Sequence, residues 1–161
     1  QNRIRHKSFQ IFKLFKMMLF GILLVLLFAL VLGGTNQEGL AFLAVKEKEE
    51  GVVKLPSGLL YKELVPGTGR SPSLSSPTKC HYKGALLDGT EFDSSYKRGE
   101  PATFAPNQVI KGWTEAMQLM KEGGTWELYI PSELAYGDRG AGGRIPGGSV
   151  LIFTLEMIEV M

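Results

Sequence analysis

Cysteine occurs once in this chain of 161 residues, at position 80, and histidine only twice. A single cysteine excludes an internal disulfide framework, and two histidines beside it leave no familiar zinc ligand set. Charge is nearly balanced, at +2, which gives no argument for nucleic acid. There is no G-x-S-x-G, and His81 sits next to Cys80 without an evident nucleophilic partner, so no hydrolytic constellation can be assembled. Both residues read as structural, Cys80 as a small core side chain. The glycine-rich stretch GDRGAGGRIPGGS at 137–149 lacks the last glycine of G-x-G-x-x-G, and no Walker lysine follows. It reads instead as a loop at the rim of a site, able to act as a lid. No internal repeat is visible.

What is present is unevenly spread. Residues 1–16 carry Arg3, Arg5, Lys7, Lys13 and Lys16 and no acid, and residues 17–34 are uncharged and apolar on all sides. As a helix those 18 residues would be roughly 27 Å long, close to a hydrocarbon core of about 30 Å. A basic flank before such a run fits a signal-anchor or a cleavable signal peptide, with the N-terminus left on the cytoplasmic side. The run exceeds a usual signal core and lacks an A-x-A site, which favours retention; cleavage would leave a secreted or lumenal domain. Residues 35–54 read as a linker. Thr35-Asn36-Gln37-Glu38 has the spacing of a capping box, with a helix continuing over 40–50 to Gly51.

Residues 55–161 are enough for a single core. Their centre is VIKGWTEAMQLMKEGGTWELYIPSELAYG at 109–137. Trp113, Ala116, Met117 and Met120 fall on one helical face, opened by Gly112 and closed by Gly123-Gly124. Trp126, Leu128 and Ile130 then alternate with Glu127 and Tyr129, as in a half-buried strand ended by Pro131. A helix this short must lie on a sheet. Trp113 is then either core packing or the floor of a pocket.

Further strands are expected over 59–65, 79–87 and 90–95, with Asp88-Gly89 turning the last two into a hairpin. A polar loop at 70–77 comes between the first two, and Thr103-Phe104 reads as a short bridging piece. In the last strand, 150–160, Leu151, Phe153, Leu155 and Met157 share one parity, whereas Ile158 and Val160 take the other. A bulge accounts for that switch. Asp93, beside Phe92, needs a partner if buried, and Arg98 is near in sequence. The fold class is α+β: an antiparallel sheet crossed by one short helix.

HYKG at 81–84, LLDGTEFDSS at 86–95, the block at 109–131, LAYGDRG at 134–140 and LIFTLEMIEV at 151–160 together resemble an FKBP-type peptidyl-prolyl isomerase. PATFAPNQVIKGWTEAMQLM at 101–120 is most similar to the macrophage-infectivity-potentiator subgroup. The resemblance implies a five-stranded antiparallel sheet wrapped around one helix, preceded here by the N-terminal hydrophobic helix. It implies a pocket lined by Tyr82, Phe92, Asp93, Phe104, Val109, Ile110, Trp113, Tyr136, Ile145 and Phe153, floored by Trp113. Tyr82, Asp93, the Ile110 N–H and the Tyr136 hydroxyl would orient and hydrogen-bond the substrate. Ala102 stands where many members have phenylalanine, Arg144 where an apolar residue is usual, and Gly147-Gly148 loosens the following segment. Prolyl polypeptides would be the substrates and macrolides possible ligands, with no cofactor and no metal. A non-catalytic prolyl-peptide adaptor of the same fold is the alternative.

The flank and the apolar run predict that the domain lies across a membrane from Arg3 and its neighbours. Protease added to sealed vesicles should leave fragments containing Trp113 intact until detergent is added. Digestion without detergent would place the domain in the cytoplasm.

Overall fold

A computed structural model of the chain describes residues 33–161. The basic flank 1–16 and nearly all of the apolar run 17–34 lie outside the described residues. Among those described, no helix is long and apolar enough to cross a membrane.

Asn36 caps the first helix among the described residues, α1 (Gln37–Lys46), by accepting from the Gly39 N–H at 2.8 Å. The cap is therefore Asn36 and not the Thr35 of the expected box, because the Thr35 side chain is committed elsewhere. The helix also ends at Lys46, before the expected Glu50. After it come strands β1 (Val52–Lys54), β2 (Leu60–Val65), β3 (Thr78–Ala85) and β4 (Glu91–Ser94). A one-turn helix α2 (Ser95–Arg98) follows, then β5 (Ala102–Phe104), helix α3 (Lys111–Leu119), β6 (Thr125–Ile130) and β7 (Leu151–Val160).

All seven strands form one antiparallel sheet in the order β1-β2-β6-β7-β3-β4, with β5 pairing the other half of β3. Seven strands correct the expected five. The two beyond those five are three residues long: β1 lies in the stretch read as linker, and β5 takes in the expected Thr103-Phe104 bridging piece and pairs Thr78 to Cys80. A three-residue strand is too short to display a period of two. The β3–β4 hairpin turns at Asp88-Gly89, where Gly89 has φ +84° and Asp88 accepts from the Thr90 N–H. The parity switch in β7 is a bulge: Lys79 faces Glu159 while Cys80 faces Met157, so Ile158 is the extra residue.

Cys80 and Tyr82 of β3, Leu128 and Ile130 of β6, and Leu151, Phe153, Leu155 and Met157 of β7 form one apolar face. Trp113, Ala116 and Met117 of α3, with Met120, are buried against it. Cys80 is fully buried, and desolvation pushes its thiol up to about 12. The opposite face is covered at one place, Tyr129, which the alternation Glu127–Leu128–Tyr129 did not foretell. Tyr129 is buried there, with Phe42 of α1 meeting it edge-on at 5.9 Å.

Gly112 is needed for approach more than for opening the helix. A Cβ on it would lie 2.5 Å from Ile130 Cγ2. Alanine there would gain about 1 kcal/mol of helix propensity, against about 1–3 kcal/mol for overpacking. The clash wins, since Ile130 is itself fully buried. Gly112→Ala should therefore lower the unfolding free energy, by up to about 2 kcal/mol once the propensity gain is subtracted, in a denaturant titration. A more stable variant would mean that α3 can shift off the sheet.

Candidate active site

Beside α3 the sheet leaves a cavity of about 600 Å³. Its lining comes from β3 (Tyr82), β4 (Phe92, Asp93), β5 (Phe104), the turn before α3 (Gln108, Val109, Ile110), α3 (Trp113), the loop after β6 (Ala135, Tyr136) and β7 (Phe153). Nine of the ten expected pocket residues thus line one cavity. The tenth, Ile145, does not: it is buried in the core, and its N–H and C=O bond Ala141 to close the loop. Gln108 and Ala135 were missed. Gln108 is held by its side chain accepting from the Ala105 N–H at 3.0 Å, and no hydrophobic period marks such a residue.

Trp113 resolves the earlier choice by being both core and floor. It is 4% exposed, and three rings meet it edge-on: Tyr82 at 5.2 Å, Phe153 at 5.1 Å and Phe104 at 5.9 Å. Such edge-to-face pairs contribute about 0.5–1.5 kcal/mol each beyond burial. Its Nε1 has no hydrogen-bond partner among the described residues. Phe92 completes the wall, edge-on to Phe153 at 5.5 Å. Gly84 makes room for that pair, because a Cβ there would come within 2.5 Å of Phe153 and 2.6 Å of Phe92.

Three polar side chains interlock at the rim. The Tyr82 hydroxyl donates to Asp93 Oδ2 at 2.7 Å, Arg98 donates to Asp93 Oδ1, and Arg98 also donates to the Tyr82 hydroxyl at 2.8 Å. Arg98 is brought there by α2, the turn that the sequence reading did not contain. Ser94 caps α2 by accepting from the Lys97 N–H, and Gly99 ends it at φ +77°. Partial burial works against the Asp93 charge, but hydrogen bonds from Tyr82 and Arg98 outweigh it and hold the carboxyl below its usual range. Burial and the bond to Asp93 push the Tyr82 hydroxyl the other way, upward, so it remains a donor at neutral pH.

Ile110 is the N-cap of α3, which leaves its N–H outside the helical ladder. Its carbonyl accepts from Thr114 N at 3.0 Å, and Thr114 Oγ1 donates to Pro106 O at 2.6 Å, fixing the turn that carries Gln108 and Val109. Arg144 donates to the backbone carbonyl of the wall residue Phe92 at 3.3 Å and is not itself among the lining residues. Ala102 does not line the cavity. His81 points away from it, bonded through Nδ1 to Ser95 Oγ at 2.9 Å and stacked on Tyr96 at 4.6 Å. The site therefore offers aromatic walls, one ion pair and hydrogen-bond donors, and no nucleophile paired with a base.

The family described as FKBP-type peptidyl-prolyl cis-trans isomerase matches residues 69–158, and its amino-terminal domain matches residues 32–62. The chain is 51% identical over 123 residues to the macrophage infectivity potentiator of Trypanosoma cruzi, covering 76% of this chain and 63% of that one. To the outer membrane protein MIP of Legionella longbeachae it is 50% identical, covering 76% and 53%. The crystal structure of FkpA from Escherichia coli superposes with a TM-score of 0.74 at 43% identity, over 76% of this chain and 57% of that one. The chain thus spans only about half to three-fifths of the curated relatives it matches. With the aromatic cavity, the sheet order and these similarities together, the chain belongs to the FKBP-type peptidyl-prolyl cis-trans isomerase family.

Proposed function

We infer that this chain is a peptidyl-prolyl cis-trans isomerase acting on prolyl segments of polypeptides. The observation that carries the reading is the aromatic cavity floored by Trp113, with its hydrogen-bonding groups confined to the rim. Rotation about an X–Pro bond meets a barrier of about 20 kcal/mol because amide resonance is lost on twisting. The twisted amide is less polar than the planar one. A largely apolar cavity therefore disfavours the planar ground state more than the twisted state, and each ~1.4 kcal/mol of that difference is a tenfold gain in rate.

In this reading the prolyl ring sits on Trp113, between Tyr82, Phe104 and Phe153, with Val109 beside it. The Ile110 N–H and the Tyr136 hydroxyl donate to substrate carbonyls on either side of the bond. Asp93, fixed by Arg98, holds the Tyr82 ring in place and keeps an oriented dipole at the rim. No proton changes hands. Macrolides of the class that binds this family would use the same walls. Arg144, bonded to the wall residue Phe92, narrows the choice of ligand. An apolar residue before proline suits the walls. Anchoring through residues 17–34, with the domain outside the cytoplasm, is supported by the basic flank and by a relative named as an outer membrane protein.

Activity is tested by exchange of an X–Pro peptide followed by NMR or by a protease-coupled assay. The chain should shorten exchange well below the uncatalysed ~10–100 s; no acceleration would leave the adaptor reading. Asp93→Leu should cut turnover about tenfold, a loss of ~1.4 kcal/mol in transition-state binding, with little change in melting, because the side chain is 44% exposed.

The lowered carboxyl sets the pH dependence. The Asp93–Arg98 pair is fully present above the ordinary carboxylate value of 3.8 and is lost as pH falls through the lower folded-state value. kcat/KM should stay level from neutral pH down to about 4 and fall only below it. A step near pH 6 would assign the rate to a different group.

Binding of a macrolide should quench or shift Trp113 fluorescence, with Trp126→Phe used to remove the second indole. An unchanged spectrum with binding shown by calorimetry would place the ligand outside this cavity.

A further inference from the structure

Tyr136 is the one proposed substrate contact carried on a loop with neither helix nor sheet beneath it. It is 40% exposed, between the 3-10 turns Ser132–Leu134 and Gly137–Arg139. Both flanks of it are held by the segment through which the chain enters the domain. On the near flank, Thr35 N donates to Glu133 Oε1 at 2.8 Å and Thr35 Oγ1 donates to Glu133 Oε2 at 2.7 Å. Ser132, itself buried, donates its N–H to Thr35 Oγ1 at 2.9 Å. The hydroxyl has one hydrogen, so Glu133 is its acceptor, and the Ser132 side chain at 3.3 Å is the weaker contact.

The far flank is held by two further links. Asn36 N donates to Gly148 O at 2.9 Å, and Gly148 N donates to Gly137 O at 2.9 Å, which ends on the residue after Tyr136. Gly34 N donates to Asp138 as well. The fit is tight: a Cβ on Gly147 would lie 2.0 Å from Asp138 O, and one on Gly34 would lie 2.5 Å from Glu133 Oε1. Partial burial opposes the charge on Glu133, yet the Thr35 bonds hold its carboxyl below the ordinary range.

We propose that Thr35 is a positioning residue for the isomerase site, its bonds to Ser132 and Glu133 fixing the loop that presents Tyr136. Residues 34–36 are thereby linked to the loop that carries Tyr136. Helix α1 has contacts of its own, the Asn36 side-chain cap at its start and the Phe42–Tyr129 pair against the sheet, and neither of these touches the Tyr136 loop. Thr35 spends every side-chain bond on the loop and none on α1.

The proposal rests on the isomerase reading for the role of Tyr136, and the test separates the two. Thr35→Val keeps the shape and removes the hydroxyl; Thr35→Ser keeps the hydroxyl. In the full chain, Thr35→Val should lower kcat/KM about tenfold, the scale of a lost positioning contact, with Thr35→Ser restoring most of it. In a Tyr136→Phe background Thr35→Val should cost nothing further. Amide exchange over 132–140 should quicken in Thr35→Val and stay slow in β6 and β7. Unchanged loop exchange, or an equal loss of activity in the Tyr136→Phe background, would overturn the proposal. If Thr35→Val does not fold, Glu133→Gln makes the same comparison from the acceptor side. An inactive wild-type chain would sink the isomerase reading alone, and loop exchange would still decide whether Thr35 holds the loop.

Discussion

The packing of Trp113 against Tyr82, Phe104 and Phe153 is the interaction on which the rest of this structure depends. It joins α3 to β3, β5 and β7 at one ring. The other face of that ring is the floor of the cavity. Core and site are therefore not separable here, and residues that fill the interior also set the shape presented to a ligand.

The polar groups follow a different logic. Asp93, Arg98 and Tyr82 are kept to the rim, where about half of each charged side chain remains in water. At that exposure the ion pair contributes little to stability; its use is to fix a tyrosine ring that is both wall and donor. Tyr136 and the Ile110 N–H are fixed by other means, a helix N-terminus in one case and the clasp from residues 34–36 in the other. Three separate local devices thus converge on one cavity.

Much of this was legible in the sequence because it is periodic. The α3 face at Trp113, Ala116, Met117 and Met120, the β6 alternation, the Asp88-Gly89 hairpin and the bulge at Ile158 each repeat or break a period. Nine residues that line the cavity were named through family resemblance, which rests on long motifs and not on any single side chain. What was hidden has no period: β1 and β5 at three residues, α2 at four, and Gln108 in a turn. Tyr129 looked half-exposed because nothing in its own strand announces that α1 will cover it. Ile145 was a wall residue only by resemblance; here it joins the core, in a loop whose backbone closure depends on glycines at positions 140 and 147 that no side chain could replace.

In the proposed isomerase the cavity accelerates rotation by its polarity and shape, without moving a proton. Comparing the catalysed exchange rate of one X–Pro peptide in H2O and D2O at matched pH and pD tests this most directly. Equal rates are predicted, because no O–H or N–H bond is broken in the rate-limiting twist. Distinctly slower exchange in D2O would contradict the account and assign proton transfer to a group at the rim.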